Sequence, residues 1–217
     1  MMKKAFSVYA IAYAVLLLFV LGLLCTYPKL ELHLLLNSCH TKLQDTFFTY
    51  YTMLAEWPIY VLALLPLLLK QVKLTIFYAV CELTGGAVLQ ALKYFFDMPR
   101  PAVAFQNYPD GVLPVVEGID MHCSNSFPSG HAFTFFVFCT CCALYLAYRH
   151  QCKTCQGKPT TKFLYAGTLL LLLSLAALGA YSRVYLSQHF LSDVCVGSII
   201  GFVTPCLMFY LFRSKLV

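Results

Sequence analysis

The chain has 217 residues, 60% of them hydrophobic and only 11% charged, which leaves too little polar surface to cover a water-soluble domain. This is the composition of an integral membrane protein. The net charge of +6 comes without a basic run interleaved with aromatics, so it points to membrane orientation and away from a nucleic-acid partner.

A helix crosses the hydrocarbon layer with about 17 to 25 apolar residues. Six such spans are predicted, over residues 5–25, 52–69, 74–92, 131–148, 163–181 and 190–212. The fold class is therefore all-α, a polytopic six-helix bundle forming a single domain over 1–217. The first apolar run is too long for a signal h-region, and no small-residue cleavage site precedes Tyr27 and Pro28, so it is expected to remain as a helix. Between it and the second span, Leu30, Leu32, Leu34, Leu35 and Leu36 fit a short amphipathic helix in the membrane interface, serving packing or lipid contact. Glu56, Pro58 and Pro66 interrupt the second span. A long connection rich in Pro and Gly covers residues 93–130, and a short one runs from Ser182 to His189. Long loops in a compact membrane protein are more often functional than decorative.

Orientation follows from the basic flanks. Lys3, Lys4, Lys70, Lys73, Arg149, Lys153, Lys158, Lys162, Arg213 and Lys215 fall on one side, and Lys29, Lys42, Lys93, Arg100 and Arg183 on the other. The positive-inside rule then puts both termini in the cytoplasm and the two connections just named outside. Eleven cysteines are present, most of them scattered through the spans as small buried hydrophobes. Cys152 and Cys155 form a lone CxxC near His150, short of the ligands a zinc site needs. Cys39 and Cys123 are both external, and their pairing is left open.

The outward ends of neighbouring helices hold KYFFDMPRP (Lys93 to Pro101), PSGH (Pro128 to His131) and SRVYLSQHFLSD (Ser182 to Asp193). Three cations, two histidines, a Ser-Gly turn and a carboxylate suit a phosphate dianion. Guanidinium groups bind its oxygens bidentately, and Lys supplies a point charge. Pro128, Ser129 and Gly130 lead into a helix whose free N–H groups and positive end favour the same anion, and a Cβ at 130 is expected to obstruct close backbone approach. His189 and Asp193, four residues apart, share a helix face, so the carboxylate fixes the tautomer that leaves the other ring nitrogen free to attack. His131, on another helix, is placed as acid for the departing oxygen and then base for water.

In this order, Lys-x6-Arg-Pro, Pro-Ser-Gly-His and Ser-Arg-x5-His-x3-Asp resemble, position for position, the three-part signature of the phosphatidic acid phosphatase type 2 superfamily. The resemblance implies a phosphatase of six membrane helices working without metal or cofactor. His189 would be the nucleophile, Asp193 its partner and His131 the acid and base, while Lys93, Arg100, Ser129, Gly130 and Arg183 would hold the phosphate. A site at the helix mouths fits a membrane lipid phosphate as partner. Lipid A phosphate, undecaprenyl diphosphate, phosphatidylglycerol phosphate and phosphatidic acid are the candidates. Small size and brief loops suggest a bacterial inner-membrane enzyme facing the periplasm. Asp110, Glu117 and Asp120 offset the motif cations and favour a monophosphate. Transfer to an acceptor other than water is the alternative. A phospholipid transporter is disfavoured because no inverted repeat is visible.

Among the acidic residues outside those roles, three invite a reading of their own. Glu82 in mid-span reads as a protonated group in close helix packing, beside Thr84, Gly85 and Gly86, rather than as a functional one. Glu56 either sits at a helix start or positions water or a leaving group near the site. Asp97 is expected to orient Lys93 or Arg100.

Overall fold

The structure, a computed structural model, describes residues 2–56, 70–109, 111–153 and 159–216. Among these residues the fold is helical throughout, with no strand: α1 (Met2–Thr26), α2 (Lys29–Leu36), α3 (Lys42–Met53), α4 (Val72–Phe96), α5 (Pro101–Ala104), α6 (Gly130–Lys153), α7 (Pro159–Tyr185) and α8 (Leu191–Leu216). Long apolar segments become helices because lipid offers no partner for backbone N–H and C=O groups, and a helix satisfies its own. Among the described residues, five helices are long and apolar enough to span: α1, α4, α6, α7 and α8. The predicted second span falls largely on residues 57–69, outside the described residues; its first two residues, Thr52 and Met53, end α3.

Local signals set the helix ends. Pro28 separates α1 from α2, and the Thr41 hydroxyl caps α3 by accepting from the Gln44 N–H at 3.3 Å. Asp97 closes α4 in a left-handed conformation with φ of 35°. In the first turn of α8, Asp193 Oδ2 accepts from the Phe190 N–H at 3.0 Å, half of a capping box. The connection over 26–51 thus contains two helices where the leucine pattern suggested one.

α6 is the most buried of the five long helices and forms the axis of the bundle. One apolar core joins it to α1, α7 and α8 around Tyr9, Phe136, Leu169 and Val194. A second joins it to α4 and α8 around Phe77, Phe133 and Val137. Its approach to α8 is close enough to require glycine. A Cβ on Gly197 would stand 2.5 Å from the Ser129 carbonyl oxygen, and one on Gly201 would stand 2.6 Å from that of Phe133. That contact brings the head of α8, with His189 and Asp193, against the head of α6, with Ser129 and His131.

Candidate active site

The three sequence motifs meet at one end of the bundle. Lys93, in the last turn of α4, donates to the Asn125 carbonyl at 3.1 Å. Just beyond that helix the chain doubles back, with Arg100 N–H on the Cys123 carbonyl and Ser126 N–H on that of Met98. Arg100 is anchored along one edge. Its Nε donates to the Ser124 carbonyl at 2.9 Å, and its Nη1 donates to the Gln188 carbonyl at 3.1 Å and to Gln188 Oε1 at 3.3 Å. Arg183, 7% exposed, donates from Nη1 to the Thr52 hydroxyl of α3 at 2.9 Å. A guanidinium has five donors in a fixed fork, so both arginines are held by part of the fork.

The spacing between Arg183 and His189 has a backbone reason. The Arg183 carbonyl accepts from the N–H of both Gln188, at 2.9 Å, and His189, at 3.1 Å, after Ser187 reverses the chain with φ of 51°. His189 Nδ1 then faces Asp193 Oδ2 at 3.7 Å, within ion-pair range and beyond hydrogen-bond length. Asp193 is rigidly placed: Oδ2 accepts from the Ser126 hydroxyl at 2.6 Å and from Phe190 N–H, and Oδ1 accepts from the Ser192 hydroxyl at 3.1 Å. Its carbonyl accepts from Ser129 N–H at 3.0 Å, which ties the second motif to the third. Ser129 is fully buried at the head of α6, and His131 lies within the electrostatic reach of Arg183, His189, Arg100 and Lys93.

Burial, countered in part by Asp193 and reinforced by Arg100, pushes the His189 imidazole down to about 3. The ring is neutral near pH 7, with one nitrogen carrying a lone pair. Seven buried side-chain polar atoms among the described residues lack a hydrogen-bond partner, and three of them belong to predicted site residues: His131 Nε2, Arg183 Nε and His189 Nδ1. Unpaired buried polar groups are costly. Their concentration where the motifs converge is the mark of a site shaped for a polar guest.

An added Cβ at Gly130 meets no protein atom within 4 Å, so the space beside it is open to a guest. One expectation needs correction. Asp97 is exposed and makes no ion pair with Lys93 or Arg100 among the described residues; those two cations donate to carbonyls and to Gln188. Cys39 and Cys123 are both free thiols. Glu82 accepts from the Thr134 hydroxyl of α6 at 2.7 Å, in keeping with a packing role. Exposed Glu56 is close enough to Arg183 to act on it electrostatically. Cys155 lies outside the described residues. A cavity of about 390 Å³ between Lys73, Tyr145, Arg149 and Phe209 lies at the opposite end of α6 and touches no motif residue. Sequence reasoning missed Thr52, Ser126 and Gln188, which hold Arg183, Asp193 and Arg100. Ser126 and Gln188 stand beside motif residues, whereas Thr52 gives no local signal.

Fold and site together define the class, a helical membrane protein with a buried cationic and imidazole cluster at one end of the bundle. The chain belongs to the PAP2 superfamily, whose model matches residues 74–216, and that membership puts it in the phosphatase class. Among solved structures it is similar to the crystal structure of Aquifex aeolicus LpxE, at 23% identity and a TM-score of 0.65, over 85% of this chain and 97% of that one. It is also similar to the first transmembrane PAP2 type phosphatidylglycerolphosphate phosphatase from Bacillus subtilis, at 17% identity and a TM-score of 0.61, over 99% and 98%. At these identities the likeness is one of fold.

Proposed function

We propose that the protein removes a phosphate from a membrane lipid without a metal ion, through a phosphohistidine at His189. The observation that carries this reading is the pair of unpartnered buried atoms His131 Nε2 and Arg183 Nε, gathered beside the half-anchored Arg100 and the His189–Asp193 pair. The phosphate oxygens take the remaining guanidinium donors of Arg100 and Arg183, the Lys93 ammonium, the Ser129 hydroxyl and the Gly130 N–H at the head of α6.

With Nδ1 turned to Asp193, Nε2 is the attacking nitrogen. It forms the N–P bond as the P–O bond to the lipid breaks, and His131 protonates the departing lipid oxygen. Asp193 stabilises the positive charge that His189 acquires. The bound phosphate dianion holds His131 as the imidazolium, so that, having given its proton, the ring is a neutral base that takes one from water as the water oxygen attacks phosphorus. The N–P bond breaks, inorganic phosphate leaves, and both histidines return to their starting state.

A monophosphate on a glycerophospholipid is the favoured substrate. The loop acids support a single phosphate, and the Bacillus subtilis neighbour is named as a phosphatidylglycerolphosphate phosphatase. The site is assigned to the outer face of a bacterial inner membrane, supported by the ten-to-five division of basic residues in a six-span topology. The test is phosphate release by the purified chain from phosphatidylglycerol phosphate, phosphatidic acid, lipid A phosphate and undecaprenyl diphosphate, with EDTA present. Release equal to substrate lost, undiminished by chelation, is expected. Activity restored only by a divalent ion overturns the metal-free chemistry, and a shortfall in free phosphate identifies transfer to another acceptor.

A further inference from the structure

The short helix α2 does something its leucines do not suggest. Within KLELHLLL it exposes Leu35 and buries His33, and one turn on, at the helix end, Asn37 is buried as well, each 2% exposed. Both polar side chains face the turn that carries Arg183 and His189. Asn37 Nδ2 donates to its own helix at the His33 carbonyl, 3.1 Å, and across to the Val184 carbonyl, 2.9 Å. The Ser187 hydroxyl donates to the Pro114 carbonyl at 2.6 Å, so its oxygen is left to accept from His33 Nε2–H at 3.2 Å. Asn37 Nδ2 also lies 3.3 Å from His33 Nε2, but its two protons go to the His33 and Val184 carbonyls, so the Ser187 contact assigns the His33 proton to Nε2. The His33 ring also meets the Phe190 ring edge-on at 5.2 Å, and Lys29 Nζ lies 4.0 Å over the Phe190 ring centre.

α2 therefore grips the turn at Val184, Ser187 and Phe190, the last two bracketing His189. Ser187 is the residue that most needs holding, because its φ of 51° lies in the left-handed region that a side chain disfavours. Its conformation directs the N–H groups of Gln188 and His189 back onto the Arg183 carbonyl. None of the three gripping residues falls within residues 74–216, the part matched by the family model.

We propose that His33 and Asn37 are positioning residues for the phosphatase reaction: the chain from α2 through Ser187 to the loop at Pro114 fixes the turn in which His189 stands against Asp193. The inference rests on the reading of His189 as nucleophile. It concerns the alignment of that ring, and it leaves phosphate binding to other groups.

The experiment compares His33→Ala, His33→Asn, His33→Gln, Asn37→Ala and Ser187→Gly in the full detergent-solubilised chain, with a short-chain phosphatidic acid as substrate and inorganic phosphate as a competitive probe. Misplacement of a reacting group by about 1 Å costs on the order of 10²-fold in rate. A fall in kcat of about 10- to 100-fold is expected for His33→Ala and Asn37→Ala, with KM and the phosphate inhibition constant within about threefold. Gln puts an amide nitrogen where His33 has Nε2, and Asn reaches only as far as Nδ1. His33→Gln is therefore expected to recover most of kcat and His33→Asn not to. Ser187→Gly removes the hydroxyl while glycine adopts the same φ without strain, so it keeps the test open should the α2 variants fail to fold. Its kcat is expected to fall about 10-fold.

Full kcat in folded His33→Ala or Ser187→Gly overturns the proposal. So does a loss shared equally by Ala, Asn and Gln at position 33 that follows the loss of thermal stability, which marks a purely structural pair. His189→Ala runs alongside. Turnover by that variant overturns the nucleophile reading itself, whereas an inactive His189→Ala beside a fully active His33→Ala overturns the clamp alone.

Discussion

The two ends of the bundle both carry clustered cations and treat them in opposite ways. At one end Lys70, Lys73 and Arg149 stay exposed around an open cavity, with Arg149 lying 5.8 Å over the Tyr145 ring centre. At the other, Arg100 and Arg183 are only 9% and 7% exposed, and no carboxylate reaches either at ion-pair distance among the described residues. A cation that keeps its water is cheap at a membrane boundary and needs no role beyond orientation. One drawn inside costs several kcal/mol unless paired. Two buried guanidiniums held by carbonyls, Gln188 and Thr52 are therefore the stronger mark of a site, although a cavity of about 390 Å³ lies at the other end.

If that contrast is right, substitutions at the two ends have unequal consequences. The largest belongs to His189→Ala, which removes the nitrogen proposed to attack. Turnover is expected to fall by at least about 10⁴-fold on every substrate, with no acid-labile phosphoenzyme trapped by quenching. A labelled phosphoenzyme in that variant would place the nucleophile elsewhere.

His131→Ala comes next. General acid catalysis is worth about 10² to 10⁴ in rate, so an alkyl phosphate should suffer by that factor. The first step on a nitrophenyl phosphate, whose anion leaves without help, should suffer much less. The single-turnover burst of nitrophenolate measures it, and an equal loss of burst in the His131 and His189 variants would mean the two roles are wrongly divided.

Arg183→Lys keeps the charge and loses the fork that reaches Thr52 and is proposed to reach the phosphate, so kcat/KM is expected to fall about 10- to 100-fold. Arg149→Lys and Lys73→Ala at the opposite end should stay within about twofold. Comparable losses at both ends would erase the distinction drawn from burial.

The smallest effect is on stability. Burial pushes the His33 imidazole from 6.5 down to about 4. Because the folded value is lowered, the unfolded chain takes up the proton first. His33 thus leaves stability intact above pH 6.5 and erodes it as pH falls toward 4, by about 1.4 kcal/mol per pH unit. His33→Gln cannot titrate, so its Tm should fall less steeply than that of the wild type between pH 6.5 and 4. Parallel Tm curves would show that His33 is not buried in its neutral form.

Much of the candidate site was legible before any coordinates because its spacings are local. His189 and Asp193 sit one helical turn apart, and Pro-Ser-Gly-His announces the start of α6. Arg183 to His189 is the length of a single helix-terminating turn. Spans are equally local, since a run of apolar residues long enough to cross lipid has few alternatives to a helix. Glycine at 130 was read for close approach of an anion to the backbone, and no protein atom fills the space an added Cβ would take.

The sequence by itself determined the membrane class, the five described spans and the residues that gather at the site, since each depends on chain-local hydrophobicity or on spacing within a few turns. Only the tertiary structure decided what holds them. Thr52 meets Arg183 across 131 residues, His33 meets Ser187 across 154, and Gln188 meets Arg100 across 88. Contacts that distant leave no periodic trace. Whether a histidine among leucines faces lipid, water or a strained serine depends on which helices pack around it, and here the close α6–α8 contact and the α2 overlay settle that.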